Sequence, residues 1–426
     1  MTSAAIAQPR RVVANMAAKG TAFTVEKAAQ FGLLVFAGRT LGEAGFGRFS
    51  FATNLAVLLA FATDLGLTTW TTRALARGTD AAAPVLGTGL RLRLWAAIPV
   101  LLALAGVAVA VDDHALALTV LALGVTYLAR GLCDHARSVF RAHERLGDEG
   151  KLNAAIAVLA AAGGIAGLWL GAGGLAALAA GVMSGTLAGA AYGIVLLGRN
   201  YGRWAGPADW ALARRMLREA APFYLAGAFT LVYARADVLL LKPLSFDTEV
   251  GAYRAAGQLV EIVKQLPVLL MTATFPQLAR GYQDSRAALV RTERAITGIL
   301  LGGGFLLGGT LALAAEPIIT LLFGRDFGRA VPALRTLAPA VPLVFVNCGV
   351  LHFFIARDRG TLNLAFAAVM VVVNAGMNLA LDRRLGAVGA ATATVVTEAM
   401  LFVCCLYALR VLRREDRPAP AVAPAR

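Results

Sequence analysis

The residues with the clearest chemical content lie between Arg254 and Gln265. Arg254, Gln258, Glu261 and Gln265 recur at i, i+4, i+7 and i+11, the spacing of one helical face, with Lys264 beside them. The opposite positions are Ala, Leu, Val and Ile, so the polar face is set in an apolar run. A charge at the centre of a membrane helix costs about 2.5–3.5 kcal/mol on insertion scales, so such a stripe has to face a wet cavity or polar partners. Arg grips phosphate bidentately and Lys acts on it as a point charge, while amides suit sugar hydroxyls. A Glu261–Lys264 ion pair inside a helix contact is the structural alternative.

The same theme recurs elsewhere. Lys19, Glu26 and Gln30 share a face early in the chain, flanked by Lys27. Arg235 and Asp237 lie about 200° apart on a helix, so at least one needs a partner on another helix. Asn363, Asn374 and Asn378 fall on one face of a later segment. For Asp64, Arg335 and Glu398, helix packing is at least as good a reading as ligand contact.

These residues must be positioned by membrane helices. The chain has 426 residues, 58% of them hydrophobic and only 15% charged, with a mean hydropathy of +0.69. An ordinary soluble domain carries about 25% charged residues and could not bury so much apolar side chain. A soluble enzyme, a disordered chain and a fibrous one are excluded. The net charge of +15 reads as basic residues retained in loops on one side of a membrane, not as a nucleic-acid surface. Cys133, Cys348, Cys404 and Cys405 form no C-x-x-C pair, and the four histidines form no ligand pattern. Arg10-Arg11 is not followed by the apolar core of a signal peptide. No nucleophile elbow or Walker loop is present, and Leu92 stands where a dinucleotide fingerprint after Gly87-Thr88-Gly89 needs its third Gly. No metal and no cofactor is expected.

The hydrophobic pattern predicts about twelve membrane helices of roughly 20 residues. They cover 17–38, 49–71, 93–111, 115–133, 152–171, 174–197, 221–241, 251–274, 295–315, 332–356, 361–381 and 386–409. Alternate loops are rich in arginine, as at Arg73 and Arg77, Arg91 and Arg93, Arg137 to Lys151, Arg199 to Arg218, Arg280 to Arg294, Arg357 and Arg359, and Arg410 to Arg417. The other loops hold few, among them Arg39, Arg48, Lys242, Arg325, Arg329, Arg383 and Arg384. The positive-inside rule then places both termini in the cytoplasm. The connection Arg199–Glu219 contains Pro207 and an Arg-rich amphipathic stretch, Trp210–Glu219, which reads as an interface helix on an anionic leaflet.

A weak internal repeat aligns Gly47-x-Phe49 with Gly251-x-Tyr253, and Leu75-Ala76-Arg77 with Leu278-Ala279-Arg280. It predicts two six-helix halves of parallel topology, an arrangement that puts a transporter's substrate near the bilayer midplane where the halves meet. Gly163, Gly167 and Gly171, and Gly181, Gly185, Gly189 and Gly193, recur every four residues, which predicts a close helix pair.

Three stretches carry a family resemblance. They are Arg39–Phe49 with Asp64-Leu65-Gly66 and Arg77, Arg235-x-Asp237 followed by Val250-Gly251-x-Tyr253, and the run Gly386-Ala387-Val388-Gly389-Ala390-Ala391. The ordered set resembles the polysaccharide-export and oligosaccharide (O-antigen type) flippases of the MOP (multidrug/oligosaccharidyl-lipid/polysaccharide) superfamily. The resemblance implies an all-α polytopic membrane protein with about twelve transmembrane helices in two six-helix lobes around a central cavity. The expected division is an N-terminal lobe over 1–198, a cytoplasmic amphipathic linker over 199–219, a C-terminal lobe over 220–412 and a disordered cytoplasmic tail over 413–426. The implied activity is alternating-access transport of a polyprenyl-pyrophosphate-linked oligosaccharide across the bacterial inner membrane for surface polysaccharide such as lipopolysaccharide. The peptidoglycan-precursor flippases are similar but have two further helices. For this substrate, Lys27, Arg235, Arg254 and Lys264 are candidate phosphate contacts, and Gln30, Gln258, Gln265, Asn374 and Asn378 candidate sugar contacts. Glu26, Asp237 and Glu261 would balance charge or bind a coupling proton or sodium ion. The expected partners are that lipid-linked oligosaccharide, membrane lipids and polysaccharide-assembly proteins, with no nucleic acid. The alternatives are a multidrug antiporter of the same superfamily, which should have a more acidic, aromatic cavity, and a membrane glycosyltransferase or polymerase, which the short outer loops argue against.

Overall fold

Long runs of Ala, Leu, Val and Gly satisfy every backbone group within one segment only as helix, and in hydrocarbon nothing else will do. The computed structural model describes residues 9–78, 82–171, 173–201, 206, 208–284, 286–357 and 359–415, and within these it is helical almost throughout. Fifteen α-helices follow one another: α1 (Pro9–Phe61), α2 (Leu67–Arg77), α3 (Ala82–Ala110), α4 (His114–Ala142), α5 (Leu146–Leu170), α6 (Leu175–Tyr201), α7 (Trp210–Leu244), α8 (Asp247–Val263), α9 (Gln265–Asp284), α10 (Arg286–Leu313), α11 (Ala315–Phe323), α12 (Ala330–Leu337), α13 (Ala340–Ala356), α14 (Thr361–Leu385) and α15 (Ala387–Glu415). A single 3-10 turn, Arg325–Phe327, separates α11 from α12.

All the expected membrane segments fall on helix, but their breaks differ. Among the described residues nine helices are long and apolar enough to cross a membrane, ten if the bent pair α12 and α13 is one span. The expectation of twelve differs because α1 carries the first two segments as limbs of one helix, bent where Gly42 leaves helical geometry at φ 68° and ψ 179°. The second segment also stops short of residue 71: α1 ends at Phe61, and α2 starts after a left-handed turn at Leu65 (φ 51°) and Gly66 (φ 75°). A Cβ on Gly66 would lie 2.5 Å from the Ala220 carbonyl oxygen, so glycine is required there for space as well as for backbone sign. The eighth segment is divided at Lys264 into α8 and α9, neither of which is in that count.

Packing divides the chain into two compact units, Met1–Arg235 and Ala236–Arg426, the division falling inside α7. In the first unit α5 and α6 form the closest pair. A Cβ on Gly163 would lie 2.3 Å from the Gly181 carbonyl oxygen, and one on Gly181 would lie 2.1 Å from that of Gly163. The four-residue glycine spacing therefore does bring two backbones into contact. The amphipathic stretch that opens α7 does not simply rest on lipid. Asp209 caps it, its Oδ1 accepting from the backbone N–H groups of Ala211 at 2.8 Å and Leu212 at 3.2 Å. Its apolar face, with Met216 and Ala220 buried, packs on Leu67, Trp70 and Ala74 of α2 and Val85 of α3. Of the expected linker and tail, residues 202–205, Pro207 and 416–426 lie outside the described residues, as do the side chains of Arg10, Arg11, Arg280, Arg286 and Arg414.

Ion pairs and hydrogen bonds tie the ends of the helices together. Arg48 meets Asp113 at 2.7 Å, Lys242 meets Asp247, and Arg329 donates to Thr248 at 2.6 Å, all between loops expected on the Arg-poor side. On the Arg-rich side Lys19 and Arg141 converge on buried Glu149 at 3.4 and 2.6 Å. There too Arg357 and Arg413 converge on Glu293, which is fully buried. Two arginines counted as loop charges are in fact interior: Arg93 and Arg357 are 1% and 4% exposed.

Candidate functional site

In the second unit the stripe on α8 is present, with a correction at its end. Arg254 donates from Nη2 to Gln258 Oε1 at 2.7 Å and pairs through Nη1 with Glu261 Oε1 at 3.0 Å. One face thus carries a cation, an amide and an anion in direct contact. The face is not continuous to Gln265, because the helix breaks at Lys264; exposed Gln265 opens α9 and only reaches back to the Glu261 carbonyl oxygen at 3.4 Å. Nor does Lys264 pair with Glu261: it lies 3.8 Å from Glu398, whose other oxygen accepts from Asn347 at 2.9 Å. The break turns the Lys264 side chain toward α15, away from the stripe.

A second polar group, largely illegible in advance, gathers around Asp237. Tyr253 on α8 and Thr394 on α15 donate to Asp237 Oδ2 at 2.5 and 3.1 Å, and Asn378 on α14 donates to Oδ1 at 3.0 Å. Asn378 also donates to Asn374 Oδ1 at 3.1 Å. Asp237, Asn374 and Asn378 are all buried. The same face of α14 continues at four-residue spacing to Asp382, which is 0% exposed and whose two carboxylate oxygens have no hydrogen-bond partner among the described residues. Asp382 lies within electrostatic reach of Asp237. Two buried carboxylates, one held by neutral donors and the other without a hydrogen bond among the described residues, favour a small cation or a proton. Among the described residues no cluster of three or more His, Cys, Asp or Glu has metal-ligand geometry.

In the first unit Arg235 donates to Asn54 Oδ1 on α1 at 3.1 Å. Arg235 and Asp237 thus find separate partners on other helices, as their opposite directions on α7 require. Glu26, Lys27 and Gln30 form a local chain on α1: Gln30 donates to Glu26 at 3.2 Å and Lys27 to Gln30 at 3.4 Å, with the Lys27 ammonium 5.5 Å from the Phe23 ring centroid. Lys19, on the same face, is drawn off to Glu149.

Sequence reasoning missed Asp382, Tyr253 and Thr394 as polar partners, and Arg93 as an interior cation. In the sequence Tyr253 stands out as the aromatic of a repeat and of a stretch that carries the family resemblance, not as a hydrogen-bonding group. Asp382 continued the Asn374, Asn378 spacing, a signal masked by the neighbouring Arg383-Arg384. Arg93 pairs with Asp64 Oδ1 at 2.7 Å and donates to the Gly131 carbonyl oxygen at 3.1 Å.

With this geometry in view, similarity decides the family. A family model described as "Polysaccharide biosynthesis protein" matches residues 12–282. The chain belongs to the polysaccharide biosynthesis protein family. The match runs from α1 to α9 and so includes Arg235, Asp237 and the α8 stripe. One similar protein is the EPS I polysaccharide export inner membrane protein EpsE of Ralstonia nicotianae, 30% identical over 241 residues, which covers 55% of this chain and 53% of that protein. The chain spans about half or less of the length of the curated relatives it matches, at 30% and 53%. Among solved structures, the lipid II flippase MurJ in an inward closed conformation superposes with a TM-score of 0.74 at 11% identity, covering 96% of this chain and 94% of that one. An inward-facing multidrug resistance MATE family transporter of the MOP superfamily gives a TM-score of 0.72 at 15% identity, covering 92% and 96%. For this member of the polysaccharide biosynthesis family, these likenesses establish the all-α fold that it shares with both transporters.

Proposed function

We propose that this protein moves a polyprenyl-pyrophosphate-linked oligosaccharide across the bacterial inner membrane by alternating access. The observation that carries the reading is the Arg254–Gln258–Glu261 stripe on α8 of a chain whose family is polysaccharide biosynthesis. A pyrophosphate with polar sugars cannot cross hydrocarbon unaided. It needs guanidinium and ammonium groups for the phosphates and amides for the sugars, while the polyprenyl tail remains in lipid. On the stripe Arg254 supplies the first and Gln258 the second. Glu261 keeps Arg254 extended along the helix until phosphate displaces it.

Asp237 is the ion-coupling group in this reading. Its three donors are neutral, and Asp382 adds a second carboxylate without a hydrogen bond. A buried pair of like charges is stabilised by taking up a proton or sodium ion, which gives the cycle a driving ion. Asn374 and Asn378, buried here, serve that group before they serve sugar.

The test is reconstitution. Proteoliposomes loaded with a fluorescent polyprenyl-pyrophosphate oligosaccharide should show flipping by the wild-type chain and none by Arg254→Ala. Equal flipping by both, or efflux of a cationic dye in place of flipping, would overturn the reading.

A further inference from the structure

Away from the stripe and the Asp237 group, α2 and the first turns of α7 enclose a cavity of about 200 Å3 lined by Trp70, Arg73, Arg77, Arg215, Glu219 and Phe223. Glu219 is engaged in building its wall: its carboxylate accepts from Trp70 Nε1 at 2.8 Å and from Arg215 Nε at 3.0 Å. The Arg73 guanidinium stacks 4.4 Å from the Phe223 ring centroid. Stacking on a ring face fixes the plane of the fork and leaves its N–H edges directed outward. Arg77 follows one turn later on the same helix face. Among the described residues no carboxylate pairs with Arg73 or Arg77, so a small aromatic-walled cavity concentrates three guanidinium groups against one carboxylate.

The setting is the edge of the membrane. A second groove in the same unit, lined by Arg91, Leu94, Trp95 and Ile98 of α3, reaches Trp210, the first residue of α7. Trp95 and Trp210 are 62% and 71% exposed, and exposed tryptophans of this kind lie at headgroup depth. Cations beside that level meet phosphates before any other anion.

We propose that this cavity is a binding site for the phosphate of a lipid headgroup, with Arg73 and Arg77 as its donors. The ligand chemistry is a lipid phosphate, either the phosphodiester of an anionic phospholipid or the pyrophosphate of a polyprenyl carrier. The site is separate from the α8 stripe, and its occupancy is measured by binding rather than by transport, so its failure and that of the transport reading are distinguishable.

The experiment uses the full chain in nanodiscs of phosphatidylcholine, titrated with phosphatidylglycerol or with polyprenyl pyrophosphate, binding being read by native mass spectrometry. The double variant Arg73→Gln with Arg77→Gln is compared with Arg214→Gln and Arg218→Gln, which remove the same charge from exposed positions on α7 outside the cavity. The first pair should weaken binding by about tenfold or more while the second leaves it unchanged. Competition by inorganic pyrophosphate assigns the site to the carrier's head; binding of phosphatidylglycerol without that competition assigns it to a phosphodiester. Equal loss in both double variants, or loss in neither, overturns the proposal, and matching circular dichroism of all variants secures the comparison.

Discussion

Arg93, 1% exposed, holds Asp64 at 2.7 Å across the turn that separates α1 from α2. The same guanidinium donates to Thr68 Oγ1 at 2.7 Å and to the Gly131 carbonyl oxygen at 3.1 Å. Asp64 in turn accepts from the Gly66 N–H at 3.2 Å, so the left-handed turn is pinned to α3 and α4 by one interior cation. Removing one partner of a buried pair leaves the other charge uncompensated. Arg93→Ala should therefore lower the stability of the first unit by about 3–5 kcal/mol, read as a drop in Tm in detergent. An unchanged Tm would show that water replaces the guanidinium.

Arg254→Ala and Glu261→Ala are expected to abolish export while leaving insertion intact. Surface polysaccharide in cells carrying each variant as the only copy is the measurement, with membrane abundance as its control. Normal polysaccharide in either strain refutes the assignment of the stripe.

Asp237→Asn should retain the three donors' packing and lose the charge that a coupling ion neutralises. Flipping should then stop responding to an imposed proton or sodium gradient, with Asp382→Asn giving the same phenotype. A gradient response equal to that of wild type in both variants would assign coupling elsewhere.

Gly181→Ala places a Cβ 2.1 Å from the Gly163 carbonyl oxygen, a backbone atom that cannot move aside without separating α5 from α6. Overpacking of this kind costs about 1–3 kcal/mol or more. Gly198→Ala, with nothing within 4 Å of its Cβ, is the matched control. Thermal unfolding of the two variants should differ clearly.

Orientation follows from loop arginines alone, and its check is topological. Reporter fusions at both termini should read as cytoplasmic. A periplasmic signal at either end would invert or break the scheme.

The helical class and its segments were legible because twenty-residue apolar runs admit one backbone solution in lipid. The α5–α6 contact was legible because only glycine allows that approach, and its spacing is periodic. Partners were harder to read. Spacing placed Arg254, Gln258 and Glu261 on one face, but whether Lys264 continued the stripe depended on a helix break whose sequence signal is Pro267, which has no N–H for the Val263 carbonyl. Arg93 and Arg357 were read as loop charges because a cation near a segment's end can either reach water or turn inward, and sequence distance does not distinguish the two. The group at Asp237 draws on α7, α8, α14 and α15, so no local pattern contains it; only the Asn374 and Asn378 spacing pointed there.

Glu293 ties α10 to Arg357 at the exit of α13 and to Arg413 near the end of α15. Arg413 is therefore one half of a clasp, with Arg357 as the other. A truncation before Arg413 strips one of the two cations from a sealed-in carboxylate and loosens three helices together, whereas a tag appended after residue 415 leaves the clasp closed. Engineered forms of this protein should keep every residue through Arg413, however dispensable a basic tail looks on paper.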